Sequence, residues 1–406
     1  MPKRLPILLL ILSLQLPVFP QSSPEGDEKV EGWDFVVLPA VSFNTDLGLH
    51  YGLFGNFYYY GRDSLCTYPL YRHRLSFEGS RYTCQQTLGY LQYDGIDLLP
   101  GVDVSVTGRW LLDPKFFFWG YNGIPLANRH GEGASYYFFY RRYLMFDAST
   151  AVHVAPWLKV YAGITLYDYK IKESAEEGPN LWREYRTQGL IRDEEALGGS
   201  HLDLKVGLLH DSRNHPTIPS RGYKGSLLLT LRGEPNFHFS MLNLQGSLAQ
   251  FYPLGNRMVL ANRIAVQTLV AGEQPYYLLS SIATTEMSQA ASEGLGGVTT
   301  LRGLPLNTLV GNGMAWMNTE LRIRLFDTEL WHRHVEVAVV PFVDAGTVFQ
   351  PYRLELPKTS IYTTAGLGGK MIVNQNFVLS AEAGWLLWKI NGETNWSLNI
   401  STGYIF

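Results

Sequence analysis

A chain of 406 residues that is 46% hydrophobic and 14% aromatic but only 17% charged carries less charge than soluble domains usually do, and its 40 glycines and formal charge of −3 suit neither a disordered chain nor a nucleic-acid binder. Two cysteines are too few for a disulfide-stapled mini-domain. A soluble chain of this length is expected to split into two or three domains, the exception being a single barrel.

The chain opens with Lys3 and Arg4, an apolar run from Leu5 to Leu16, then Pro17 and Pro20. Roughly 12 apolar residues fall short of the about 20 that a spanning helix needs, so a signal peptide is expected over 1–23. No cysteine directly follows the run, which argues against a lipoprotein. A short periplasmic lead, 24–32, is expected to precede a barrel over 33–406. Beyond the leader no segment approaches 18 uninterrupted apolar residues, so any membrane crossing must be made by strands.

Period-two alternation predicts sixteen strands, near 34–42, 46–59, 72–82, 86–95, 102–111, 136–153, 157–171, 201–210, 222–232, 238–250, 257–269, 313–325, 335–349, 361–372, 376–388 and 395–406. In 202–208, Leu202, Leu204, Val206 and Leu208 oppose Asp203, Lys205 and Gly207. In 313–325, Asn318, Glu320, Arg322 and Arg324 share the polar face. In 376–388, Phe377, Leu379, Ala381, Ala383, Trp385 and Leu387 oppose Ser380, Glu382 and Gly384. In 395–406, Trp396, Leu398, Ile400, Tyr404 and Phe406 are placed together on the apolar face. A soluble barrel with its apolar face inward would alternate too. Here the polar face holds Gly, Ser, Asn, Glu and Arg rather than dense charge, and Trp and Tyr collect at strand ends, so the expected fold is an all-β, 16-stranded antiparallel transmembrane barrel.

An even count puts both ends in the periplasm, and the longest connections, 112–135, 172–200 and 270–312, then all fall on the outer side. Short turns such as Ala155-Pro156, Pro253-Leu254-Gly255 and Asn374-Gln375-Asn376 fall on the inner side. Cys66 and Cys84 are separated by one strand, so two free thiols are expected.

More specific than composition are Gly296-Gly297-Val298-Thr299-Thr300-Leu301-Arg302-Gly303, then Gly311-Asn312-Gly313, Asn318-Thr319-Glu320-Leu321-Arg322 and Pro341-Phe342-Val343-Asp344-Ala345-Gly346. Asp211-Ser212-Arg213-Asn214-His215-Pro216 through Pro219-Ser220-Arg221-Gly222, and the closing Gly403-Tyr404-Ile405-Phe406, belong to the same set. In order and spacing they resemble the bacterial surface antigen barrel of the BamA/TamA superfamily of outer-membrane assembly and translocation proteins. The resemblance implies a sixth outer loop folded into the lumen with its Arg302-Gly303 tip against the wall. Arg302 would then stand as a planar cation between Glu320 and Asp344, close to Gly346. Leu304-Pro305 stands where the family usually has an aromatic residue and a glycine. Gly403, Tyr404 and Phe406 resemble the terminal signal by which such barrels are themselves inserted; an interfacial aromatic is the plainer reading, and both can hold.

No enzymatic activity, cofactor or metal is expected. His210, Asp211 and Ser212 are consecutive, so their side chains alternate between faces and cannot converge as a triad; the segment reads as an Asx turn. His73, His332 and His334 are scattered at inner turns. The space between the leader and the first strand is too short for the periplasmic domains of assembly barrels. The expected function is therefore help with insertion or translocation of cargo at the bacterial outer membrane through a strand 1/strand 16 seam. Pro39, which cannot donate a ladder hydrogen bond, would weaken that seam. Outer-membrane lipid, a separate periplasmic protein and unfolded clients are the expected partners. The alternative is a passive pore or adhesive barrel that uses the loops around 116–121 and 276–279 as contact surface.

Overall fold

The computed structural model describes residues 32–61, 71–121, 134–175, 178–236, 238–286, 294–330, 333–349, 361–373, 377–387, 396–402, 404 and 406. They form a closed barrel of sixteen antiparallel strands in which each strand pairs with its sequence neighbours and the last closes on the first. The strands are β1 (Trp33–Asn44), β2 (Gly48–Tyr59), β3 (His73–Tyr82), β4 (Thr87–Leu99), β5 (Val102–Phe117), β6 (Phe138–Ala155), β7 (Leu158–Glu173) and β8 (Ser200–Asp211). They continue as β9 (Gly222–Gly233), β10 (Phe239–Pro253), β11 (Met258–Gly272), β12 (Gly313–Leu330), β13 (Arg333–Phe349), β14 (Tyr362–Val373), β15 (Phe377–Leu386) and β16 (Trp396–Thr402). Closure leaves no free outer edge except where pairing fails, which is the condition for a sheet to sit in hydrocarbon.

Alternation sets which face is which. In β8 and β9, Val206, Leu208, Leu227 and Leu229 are exposed on the outside, continuous with Ile264 and Val266 of β11, whereas Asp203, Lys205, Thr230 and Arg232 are buried inside. The interior charges are paired: Arg232 donates to both oxygens of Asp203 at 2.5 Å, and Lys205 Nζ donates to Asp147 at 2.7 Å. An apolar belt around a polar, hydrogen-bonded lumen is the inverse of a soluble barrel.

β5 and β12 run furthest beyond what the alternation predicts. β5 extends to Phe117 and β12 to Leu330, each across a bulge, between Asp113 and Phe116 and between Arg324 and Phe326. A bulge adds a residue and reverses the phase of the pattern, so the sequence reading stops there.

One expectation is corrected. β16 ends at Thr402, and Tyr404 and Phe406 leave the apolar face and lie inside the barrel. Arg322 sits 3.9 Å from the Tyr404 ring centroid, and its Nη2 donates to the Phe406 main-chain oxygen at 3.3 Å. There the rings lie near the lumenal cations Arg322 and Lys370 instead of extending the ladder.

Side chains cluster toward each end of the barrel. Outside, Phe116, Phe118, Tyr136, Phe139, Trp182, Tyr185 and Tyr276 form an aromatic cluster with Ile191 and Leu278. It includes α1 (Leu181–Thr187), which the sequence reading missed; Asn180 caps it, its Oδ1 accepting from Arg183 N–H. Inside, Ile218 of the 212–221 turn packs with Tyr404 against Ala338, Ile372 and Val378.

Cys84, in the turn after β3, is a free thiol, and Cys66 lies outside the described residues. β3 has 10 residues and is about 33 Å long, which places its two ends far beyond disulfide reach. Intact mass under non-reducing conditions should match two thiols per chain; the mass of an internal disulfide would contradict the register.

Candidate functional site

The site is built on Arg302, which has no exposed surface. Its Nε and Nη2 donate to Oδ2 and Oδ1 of Asp344 at 2.9 and 2.8 Å, a two-pronged pairing that only a planar guanidinium makes. Its main-chain N–H adds a third bond to Asp344 at 3.1 Å. Nη1 reaches Glu320 at 2.7 Å and Glu382 at 3.4 Å, and the guanidinium carbon lies 3.6 Å from the Phe342 ring centroid.

The cluster extends along the wall. Arg322 donates to the second oxygen of Glu320 at 3.0 Å, and Lys370 donates to Glu382 at 2.5 Å. Three cations, Arg302, Arg322 and Lys370, thus meet three carboxylates, Asp344, Glu320 and Glu382, on β12, β13, β14, β15 and the 294–312 segment. Glu382 and Lys370 were not anticipated as members. The signal for Glu382 was present: it is the lone carboxylate on a Gly/Ser face of β15.

Glycines let the loop approach. Gly303 has φ +104, and a Cβ there would lie 2.8 Å from Trp385 N. A Cβ on Gly384 would lie 2.8 Å from the Arg302 carbonyl carbon and oxygen. Gly346 leaves room for Leu301, whose Cδ1 would stand 3.1 Å from an added Cβ. Leu304 fills an apolar pocket with Leu295, Leu301, Leu309, Met314 and Trp316, so an aliphatic residue is accommodated at this position.

The seam is the second feature. Among the described residues β1 and β16 share two register pairs, Phe43 with Ile400 and Asn44 with Asn399. The next shortest pairing, β15 with β16, holds seven, from Leu379 with Thr402 to Trp385 with Trp396. Thr45 N–H donates to Leu398 O and Thr83 N–H to Leu49 O, so strand alternation turns the main-chain groups of odd-numbered β1 residues toward the seam. Pro39 falls in that series, within the stretch that lacks a β16 partner.

The same loop bridges the two sides. Gly303 N–H donates to Ser397 Oγ of β16 at 2.9 Å, while Leu306 N–H donates to Asp46 Oδ2 in the β1–β2 turn at 2.9 Å. Trp119 Nε1 donates to Leu306 O at 2.8 Å. Burial pushes the Asp46 carboxyl up to about 6, against the pull of the Leu306 N–H toward the ionised form. A raised value means that the folded state favours the protonated carboxyl, so the stability it contributes is full below the usual carboxylate range and is lost as pH rises through about 6, although the Leu306 N–H binds the anion better. Asp46→Asn keeps an acceptor and does not titrate. Wild type should therefore lose thermal stability relative to Asp46→Asn between about pH 4 and about pH 7; a gap independent of pH would contradict this role.

The other candidates are dispersed. His210 Nε2 and Ser212 Oγ lie 3.0 Å apart in an exposed turn, but Asp211 is turned away and bound by Arg213 at 2.7 Å. His73 bonds Tyr93 at 2.8 Å, His334 lies at the start of β13, and His332 and Gly403 fall outside the described residues.

A closed antiparallel barrel with an apolar belt, paired charges inside and a buried Arg-Gly turn defines a transmembrane β-barrel protein. The chain belongs to the Omp85 superfamily, whose domain matches residues 112–402. No curated protein sequence matches it. Among solved structures it is similar to BamA from Haemophilus ducreyi lacking POTRA domains 1–3, with a TM-score of 0.59 and 17% identity over 91% of this chain and 70% of that one. It is also similar to CdiB from Escherichia coli, with a TM-score of 0.54 and 12% identity over 90% of this chain and 62% of that one. CdiB from Acinetobacter baumannii gives 0.51 and 13% over 92% and 65%, so the chain spans less than two thirds of either CdiB. At these identities the likeness is one of fold. Family and fold together place the protein in the bacterial outer membrane.

Proposed function

We propose that the chain helps insert or translocate polypeptide at the outer membrane, with the β1/β16 seam as the working part and the loop carrying Arg302 as an in-folded plug that ties the seam together. The observation that carries this is the contrast between two register pairs at the seam and the loop bonds that span it, from Ser397 to Asp46. Parting two register pairs breaks fewer main-chain bonds than parting the next shortest pairing, which holds seven. Membership of a superfamily of assembly and translocation barrels supports the same reading, as does the position of Pro39 on the seam side. The signal peptide, the short lead and the insertion-signal role of Tyr404 and Phe406 belong to this proposal, as do a periplasmic partner and unfolded clients.

The test is to lock the seam. Asn44 and Asn399 face each other across it as a pair whose main-chain groups do not bond each other, the spacing at which Cβ atoms come closest. In a background with Cys66→Ser and Cys84→Ser, the Asn44→Cys/Asn399→Cys pair should block growth and deplete outer-membrane proteins when oxidised, and recover on reduction. Full activity with the bond formed would overturn the seam reading.

A further inference from the structure

Three neighbouring strands bring together a constellation that the transport reading does not use. Ser42 of β1, His50 of β2 and Glu78 of β3 lie in line on the lumenal face. Ser42 Oγ is 3.0 Å from His50 Nδ1, and His50 Nε2 is 3.4 Å from Glu78 Oε1. Ser80 Oγ fixes that same carboxylate oxygen at 2.6 Å, and the His50 ring is stacked on Tyr82 at 4.3 Å between centroids. His50 is buried, and its Nε2 has no hydrogen-bond partner, Glu78 Oε1 being the carboxylate oxygen that approaches it. In the Nε2–H tautomer the imidazole accepts from the serine and presents its proton to the glutamate, the order that activates a serine nucleophile.

The surroundings suit a substrate. Ser42 lines a cavity of about 510 Å³, in the size range of small-molecule sites. Leu88 and Leu111 give the cavity an apolar wall, and Arg109, Asp113, Arg141 and Lys370 line it with charge. Ser42 is also the last β1 residue before the two β16 pairs begin, so it stands where the unpaired seam meets the lumen. Asn44, two residues further along the same face, lines the same cavity. Its Oδ1 is held by the Asp46 and Leu47 N–H groups, which leaves the Nδ2 donor for a developing oxyanion.

We propose that Ser42, His50 and Glu78 form an acyl-ester hydrolase centre that acts on lipid esters entering the lumen at the seam. Ser42 Oγ bonds to the ester carbonyl carbon while its proton passes to His50 Nδ1. The bond from that carbon to the alcohol oxygen breaks, and the alcohol leaves with the proton. Water then attacks the acyl-serine with His50 again as base, releasing the fatty acid and restoring the serine. Glu78 is a positioning residue that holds the imidazole and stabilises its cation. This activity goes beyond the transport reading and rests on it only for the entry of lipid esters at the seam.

The full chain, purified and folded in nanodiscs, is treated with a fluorophosphonate probe and, separately, with p-nitrophenyl butyrate. The label should map to Ser42 by peptide mass spectrometry, and Ser42→Ala should reduce ester hydrolysis to background. Glu78→Gln should lower kcat about tenfold or more while leaving KM unchanged, because the imidazole loses the group that orients it. A merely structural carboxylate would leave kcat in place. Absence of labelling in the folded wild type, labelling at another serine, or unchanged hydrolysis by folded Ser42→Ala would overturn the proposal. If Ser42→Ala fails to fold, the site of label on the wild-type chain decides.

Discussion

Arg302→Ala should destabilise the barrel by about 3–5 kcal/mol, the cost of leaving buried carboxylates without their counter-charge. Asp344, Glu320 and Glu382 all touch the guanidinium, and after its loss three carboxylates share Arg322 and Lys370. Arg302→Lys restores the charge but not the two-pronged fit to Asp344, so it should fall between wild type and alanine. Urea unfolding in detergent, read by heat-modifiable mobility, measures the loss. In planar bilayers wild type should conduct little, and the alanine variant should show frequent openings as the loop is released. Wild-type stability and silence in Arg302→Ala would mean that the cluster does not hold the loop.

Gly384→Leu should displace the same loop by a different route. Gly384 faces the Arg302 main chain, and a side chain there meets backbone atoms at 2.8 Å that cannot rotate aside. Overpacking of this kind costs about 1–3 kcal/mol, and here the relief available is expulsion of the loop. The pairing of Gly384 with Gly366 and with Ser397 leaves the wall itself intact. The two changes should therefore be non-additive: once Arg302→Ala has freed the tip, Gly384→Leu should add little. Additive losses would place the defect in the wall.

Much of this architecture was legible from alternation because each strand has one lipid face and one wet face. β8 shows this well, with Asp203 and Lys205 inside and Val206 and Leu208 outside. Arg302, Glu320 and Asp344 could be named from the motif, whereas Lys370 could not, since its part depends on the register that sets it beside Ser380 and Glu382. The inward course of Tyr404 and Phe406 was hidden for the same reason: their partners, Arg322 and Phe251, lie on distant strands. α1 is too short to show a helical period. The Ser42 relay has no local signal at all, because its members become neighbours only through the pairing of Ser42 with His50 and of Phe54 with Glu78.

The orientation of the two faces is tested most directly by nitroxide labels at adjacent positions of β9, Leu227→Cys and Ser226→Cys, in a cysteine-free chain reconstituted in lipid bilayers. Leu227 is 50% exposed on the outer surface, and Ser226 bonds Ser247 in the lumen at 2.9 Å. The label at 227 should collide readily with oxygen dissolved in the acyl chains and hardly at all with a water-soluble nickel complex, while the label at 226 should be shielded from the lipid-borne oxygen. The reverse pattern, with 226 in lipid and 227 shielded, would contradict the account.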